Sequence, residues 1–328
     1  MQKEQVIIVG AGPCGMSAAL ALQDQGINPL IIEKENITNS IYHYPTHQTF
    51  FSSSNRLEIG DIPFVTERKK PIRSEALAYY REVAKRRSLR VNSFEQVVDI
   101  KKEKDHFMVY TKTIKGLSRV YQAAFVIIAT GYYDQPRQLE VKGEELPHVF
   151  HYFKEAHPFY REKVVIIGGK NSAVDAALEL HKANADITVL YRGETYSKSV
   201  KPWILPEFTA LINKQEIEME FNATIKEITT DQVIYQVGDT KKTVDTAFVF
   251  AMTGYQPDHR FLQEIGVEIE KETGRPVFNS MTLETNVEGI YIAGVIAAGY
   301  NNNEIFIENG REHGPKIAKD IYQKVTNR

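Results

Sequence analysis

Apolar and polar positions along the chain follow two rhythms. Residues 6–9 (VIIV) form a β-branched run, a glycine turn follows, and residues 13–22 are rich in alanine and leucine. That order predicts a buried strand, a tight turn and a helix. Residues 164–180 (VVIIGGKNSAVDAALEL) repeat it. Each copy leads into a second strand-like run, INPLIIEK at 27–34 and DITVLYR at 186–192. Each section then closes on a related phrase, FVIIATGYYDQP at 125–136 and FVFAMTGYQPD at 248–258. A βαβ plan used twice argues for two nucleotide-binding units rather than a solenoid.

Between these landmarks, residues 74–88 (SEALAYYREVAKRRS) predict an amphipathic helix with a serine cap. Residues 91–114 and 217–250 alternate as antiparallel strands do. VFNSMTLETNVEGIYIAGV reads as a strand-rich return, and a last helix is expected from about Asn309 to Val325. The expected fold is α/β, with two Rossmann-like dinucleotide-binding domains, the second inserted into the first. Residues 1–133 and 257–328 form one domain in this reading, and residues 134–256 the other.

Composition removes classes rather than adding one. A chain of 328 residues suits two domains that each have a core. The formal net charge of -2 lacks the basic excess of nucleic-acid binders, so no nucleic-acid partner is expected. No apolar run reaches the roughly 18 residues of a membrane span, and MQKEQ leads straight into the first strand without a signal peptide's apolar centre. The single cysteine, Cys14, allows neither an internal disulfide nor a CxxC relay, which points to the cytoplasm. The histidines show no metal-ligand spacing, so no metal is expected. A homo-oligomer, dimer or tetramer, is expected.

The first loop is Gly10-Ala-Gly12-Pro13-Cys14-Gly15, a GxGxxG between strand and helix. Gly10 permits the turn, Gly12 lets backbone approach a pyrophosphate, and Gly15 lets the helix pack on the strand. The helix start offers free N–H groups and partial positive charge to the phosphates. Glu33 ends the second strand, where a carboxylate accepts hydrogen bonds from a ribose diol.

The second loop, Gly168-Gly169-Lys170-Asn171-Ser172-Ala173, is a GxGxxA frame in which Lys170 replaces the middle glycine. The Lys170 ammonium is a candidate partner for phosphate. Arg192 stands where an acid would reject a 2′-phosphate, and a guanidinium binds one bidentately. NADPH is therefore expected over NADH, with Lys198 as a further contact.

With both fingerprints, the ATG phrase at Ala129, Thr130 and Gly131, and GIYIAG ending at Gly294, the whole chain resembles the two-domain flavoprotein reductases of the low-molecular-weight thioredoxin reductase type. That resemblance implies FAD on the first loop and NADPH on the second. The FAD set is completed by Lys34, Gln48 and Val98. Two departures stand out: the second unit has no CxxC, and Val295 follows Gly294 where an aspartate usually meets the ribityl chain. The phrases GAGPCG, PTHQTFFSSSNRLEIGDIPF (45–64), YSKSVKPW (196–203) and IFIENGREHG (305–314) are similar to the bacillithiol disulfide reductase family. The implied reaction is NADPH-dependent reduction of bacillithiol disulfide to two thiols.

Two roles for Cys14 stay open. A thiol at a helix start is stabilised as thiolate, and the resemblance implies an active-site cysteine that forms a mixed disulfide. Against this, a neighbouring pyrophosphate repels a thiolate, and a small residue simply fits this loop. His313, Glu308 and Glu312 are candidates to protonate a leaving thiolate, or else a charge cluster at a helix start. Lys198, Lys201 and Arg311 are candidates for a pocket that takes the malate carboxylates of bacillithiol, while Trp203 is expected in the core. The two TG phrases, read as the only two covalent crossings, suit a hinge for domain rotation. The alternatives are a cysteine-independent ferredoxin or flavodoxin–NADP⁺ reductase of this fold and a non-catalytic FAD redox sensor. A flavin monooxygenase is disfavoured, because FHYFKEAH lacks the glycine and spacing of its FxGxxxH phrase.

Overall fold

The computed structural model describes residues 1–301 and 303–327. The chain opens with β1 (Gln2–Val9), α1 (Pro13–Asp24), β2 (Leu30–Ile32), α2 (Asn39–His43), α3 (Ser54–Leu57) and α4 (Arg73–Arg86). Four strands follow: β3 (Arg90–Asn92), β4 (Glu95–Lys102), β5 (Phe107–Thr113) and β6 (Ser118–Ile128). The middle of the chain holds β7 (Val149–Phe150), β8 (Lys163–Ile167), α5 (Asn171–Lys182), β9 (Asp186–Leu190), α6 (Leu205–Asn213) and β10 (Glu218–Glu220). Next come β11 (Ala223–Ile228), β12 (Gln232–Val237), β13 (Thr240–Asp245) and β14 (Phe248–Ala251). The last part contains α7 (His259–Glu264), β15 (Ile290–Ile292), α8 (Ile307–Gly310) and α9 (His313–Thr326).

The chain divides into two compact units. One comprises Met1–Tyr42, His47–Gln135 and Gln256–Arg328; the other comprises His43–Thr46 and Pro136–Tyr255. The short segment at 43–46 departs from the expected plan. Thr46 N–H donates to the Lys154 carbonyl at 2.9 Å, which seats it in the second unit. Besides Gln135–Pro136 and Tyr255–Gln256, the chain therefore also crosses at Tyr42–His43 and Thr46–His47. The expectation of two crossings is corrected to four.

In the first unit the strand order is β3-β2-β1-β6-β5-β4, with β15 also beside β6. The length of β6 lets it serve two partners on the edge opposite β1. Ser118–Ala123 pair antiparallel with β5, and Val126–Ile128 pair parallel with β15. Ile7, Val9, Leu30, Ile32, Val126 and Ile128 pack into one buried cluster. Val6, Ile8, Ile31, Phe125 and Ile127 join another, with Ala18, Ala19 and Leu22 of α1 and Ile317, Ala318 and Ile321 of α9. Burial on both faces explains why β1 reads as a continuous apolar run rather than an alternation.

The second unit repeats the plan with the parallel order β10-β9-β8-β14-β7. Val164, Ile166, Ile187 and Val189 pack with Ala173, Val174 and Ala177 of α5. Val165, Ile167 and Leu190 pack with Ala223, Val233 and Tyr235 from the antiparallel sheet β11-β12-β13.

Three local expectations change. The alternating stretch 217–250 is antiparallel only in β11–β13, since β10 and β14 are parallel strands of the larger sheet. Ser74 lies inside α4 rather than capping it. The N-cap is Ile72, whose N–H donates to the carboxylate of Glu75 in the first turn at 2.8 Å. The last helix is preceded by a separate short turn of helix, α8, at Ile307–Gly310.

Candidate functional site: two dinucleotide loops

In the first loop, Gly10 has φ +106°, and a Cβ there would lie 2.5 Å from the Ala129 carbonyl oxygen. The turn thus needs glycine twice over, for its dihedral and for its approach to the ATG phrase. A Cβ on Gly15 would overlap the Gly10 carbonyl oxygen. Around Gly12 the situation is the opposite: nothing lies within 4 Å of its would-be Cβ, and α1 begins without any side-chain cap. Open space above an uncapped helix start fits an anionic phosphate. The Thr130 hydroxyl in the ATG phrase is buried with no protein partner, a group that a ligand or water must complete. These residues fit FAD.

Glu33 is only 8% exposed. Its carboxylate accepts from the Ala11 N–H at 2.7 Å and the Glu35 N–H at 3.0 Å. Burial raises its pKa, while these two donors oppose the rise. Glu33 therefore shapes the glycine loop as well as standing at the ribose position. Lys34 pairs with Asp134, just beyond the TG phrase.

Gln48 and Val98 are described by their local contacts. The Gln48 side-chain amide donates to the Thr49 carbonyl at 2.8 Å, and the Gln48 backbone carbonyl accepts from the Arg73 N–H at the start of α4. Val98 is 46% exposed and sits at a register shift in β4.

Cys14 is partly exposed and packs against glycines from distant parts of the sequence. A Cβ on Gly294 or Gly310 would come within 3.0 Å or 2.9 Å of its sulfur. Burial pushes the thiol up to about 12, so it is protonated near neutral pH. Gly294, at φ +82°, donates its N–H to His313 Nδ1 at 3.0 Å. That bond leaves the imidazole proton on Nε2. Burial, helped by the Lys316 charge, holds the His313 pKa down at about 4. The contact the structure gives His313 is thus an anchor for Gly294, made by a neutral ring.

The neighbouring candidates are engaged as well. Glu308 accepts from the Ser52 hydroxyl at 2.9 Å and pairs with Arg56. Arg311 donates to the carbonyls of Asn55 and Glu58 and pairs with Glu312. Arg311 is therefore a clamp between α3 and α8 rather than a free cation for substrate.

In the second loop, Gly168 has φ +146°, and its would-be Cβ lies 2.5 Å from the Met252 carbonyl oxygen, just as Gly10 meets Ala129. Ala173 replaces the third glycine and is buried. Lys170 is the exposed, extended N-cap of α5, which has no side-chain cap. Ser172, Arg192 and Lys198 are exposed. Asn171 is turned to another use: its Nδ2 donates to the Ser199 carbonyl at 2.8 Å, and its Oδ1 accepts from the Lys201 N–H at 2.9 Å. Trp203, expected in the core, is 56% exposed, with the Lys201 ammonium 5.9 Å from its ring centroid. The donor-rich start of α5 and the cations around it fit a phosphorylated dinucleotide.

Sequence reasoning missed Gly310 against the thiol, the Gly294–His313 bond and the Asn171 bridge. Each joins residues with no shared motif, so no local signal marks them.

Two βαβ units, each presenting a glycine loop at an uncapped helix start, define a two-dinucleotide flavoprotein oxidoreductase of the thioredoxin reductase fold. The pyridine nucleotide-disulphide oxidoreductase family matches residues 7–294. Bacilliredoxin reductase Bdr of Bacillus subtilis (strain 168) is 58% identical over 325 residues, 99% of each chain. The solved structure of bacillithiol disulfide reductase Bdr (YpdA) from Bacillus cereus superposes with TM-score 0.97 at 58% identity, covering 98% of this chain and 100% of that one. Thioredoxin reductase from T. acidophilum has the same fold, with TM-score 0.78 and 25% identity over 99% and 100% of the two chains. The chain belongs to the pyridine nucleotide-disulphide oxidoreductases and, within them, to the Bdr family. FAD and NAD(P)H are the cofactors of this family. No described helix is long and apolar enough to cross a membrane.

Proposed function

We propose that the protein is an FAD-dependent, cytoplasmic enzyme that uses NADPH to reduce bacillithiol disulfide. NADPH and one proton supply two electrons and two protons; the S–S bond breaks and two bacillithiol thiols leave. The observation that carries the reading is the full-length likeness to Bdr proteins, joined to two nucleotide loops of opposite character. Glu33 follows the second strand of one βαβ unit, and Arg192 follows that of the other. A carboxylate suits a bare ribose, and a guanidinium suits a 2′-phosphate. Bound FAD supplies two-electron carriage between nicotinamide and disulfide.

The chain's own residues do the holding. Gly10, Gly12, Gly15 and the start of α1 receive the FAD pyrophosphate, and Glu33 fixes the loop and faces the ribose. Lys170, Arg192 and Lys198 hold the NADPH phosphates. His313 keeps Gly294 against the Cys14 thiol.

A bacilliredoxin disulfide is the second reading for the acceptor, favoured by the name of the Bacillus subtilis relative. The test is anaerobic reduction by NADPH followed by turnover with bacillithiol disulfide, a bacilliredoxin–bacillithiol mixed disulfide, ferredoxin and flavodoxin. Turnover with bacillithiol disulfide at least tenfold above the other acceptors is expected. Fast turnover with ferredoxin alone would overturn the reading. Cys14→Ala separates the two roles of the thiol: activity kept with FAD bound means packing, and activity lost with FAD bound means a thiol relay.

A further inference from the structure

The loop at 196–203 carries two cations, Lys198 and Lys201, on backbone outside any helix or strand at those residues. Two devices hold it. Val200 is buried in the second unit's core as an apolar peg. On either side of Val200, the Ser199 carbonyl and the Lys201 N–H both bond to the side chain of Asn171, at 2.8 Å and 2.9 Å. The turn is tightened further by Ser197, whose carbonyl accepts from the Val200 N–H at 3.0 Å and whose hydroxyl meets that of Ser199 at 2.8 Å.

Asn171 is the first residue of α5, immediately after the Lys170 N-cap. The start of this helix is where a βαβ unit receives a pyrophosphate, and the end of its second strand is where it meets the adenosine ribose. A bridge from that helix start to the loop therefore fixes Lys198 and Lys201 beside the nucleotide seat before any ligand arrives. Only a neutral carboxamide offers donor and acceptor together at this length. Aspartate would lose the donor and bring a negative charge toward phosphate.

Building on the reading that the second unit seats NADPH, we infer that Asn171 is a positioning residue for NADPH selectivity: it pre-orders the basic loop 196–203 and acts through Lys198 and Lys201. This replaces the expectation that Asn171 itself meets the dinucleotide. The physical gain is entropic, because an ordered cationic loop need not be immobilised on binding.

The test uses the FAD-loaded full chain, with affinities for NADP⁺ and NAD⁺ measured by calorimetry. Loss of two neutral hydrogen bonds in Asn171→Ala should raise the Kd for NADP⁺ about tenfold. The Kd for NAD⁺ should rise less than about threefold. In a Lys198→Ala/Lys201→Ala background, adding Asn171→Ala should change the NADP⁺ Kd no further, since the bridge then has nothing to position.

Trypsin gives a readout independent of the nucleotide. Cleavage of the Lys198–Ser199 bond should accelerate in Asn171→Ala and be suppressed by NADP⁺. Asn171→Asp, which keeps the acceptor and discards the donor, carries the proteolysis test if the alanine variant does not fold; its loop should also be cut faster than wild type. Unchanged cleavage, equal weakening of NADP⁺ and NAD⁺, or additive effects in the triple variant each overturn the inference. Arg192→Ala separates the two levels. If it weakens NADP⁺ while Asn171→Ala does not, the bridge alone falls; if neither does, the NADPH seat falls with it.

Discussion

The two glycine loops share a backbone plan and differ in how they meet charge. Gly10 and Gly168 do the same work, each turning against the carbonyl of the residue between a strand end and the TG phrase. Two positions later the loops part. Gly12 leaves open space, and Lys170 fills the corresponding place with an exposed cation. The fifth positions differ as well, with Cys14 half-buried against Gly294 and Gly310 while Ser172 is exposed. One loop thus keeps an uncharged gap over backbone, with its fifth residue packed against glycines of its own unit. The other is open and lined with cations, as suits a ligand that arrives and leaves.

The largest effect expected from this comparison is at the third glycine. Gly15→Ala forces a Cβ into the Gly10 carbonyl, whereas the second loop accommodates Ala173. A loss above about 4 kcal/mol is expected, visible as failure to recover folded yellow protein. Ala173→Gly should cost only about 1 kcal/mol.

Gly12→Ala sharpens the contrast between fold and cofactor. Its φ of -72° accepts any residue and its Cβ meets nothing. The variant should melt as the wild-type apoprotein does, yet bind FAD at least about tenfold more weakly. A titration with unchanged FAD affinity would show that the space over Gly12 is no phosphate cradle. Lys170→Ala should leave FAD alone and weaken NADP⁺.

A smaller effect concerns His313. Its pKa falls from the ordinary 6.5 to about 4 in the fold. The unfolded chain therefore binds the proton first as pH drops. The associated stability is present in full above about pH 6.5 and is lost as pH falls toward 4, in all up to about 3 kcal/mol. Urea melts across that window should show a shallower pH dependence in His313→Gln. An identical dependence in both proteins would remove the neutral anchor.

Much of this was legible in the chain. The strand, glycine and helix order at 6–22 and 164–180 is local, and local patterning set the two βαβ starts. The acid at 33 and the arginine at 192 were legible for the same reason, since each sits at a set distance from its loop. Gln48 and Val98 came from the family resemblance rather than from local spacing, and the contacts described for them are with Thr49 and Arg73 and at a bulge in β4. Trp203 was misplaced because an aromatic residue in an apolar phrase carries no mark of which way it faces. The segment 43–46 was assigned with its flanks because nothing in its composition announces the Lys154 carbonyl that seats it elsewhere.

By itself the sequence determined which backbone turns are possible, where helix starts stand free to meet phosphate, and which charge each loop offers. Those properties come from residues within one βαβ unit, where spacing and chemistry translate directly into geometry. Only the tertiary structure decided that Cys14 packs against Gly294 and Gly310, that His313 Nδ1 accepts from Gly294, and that the Asn171 side chain bonds to the loop at 196–203. Each of these joins positions far apart in the chain, and desolvation and close approach exist only once folding has brought them together.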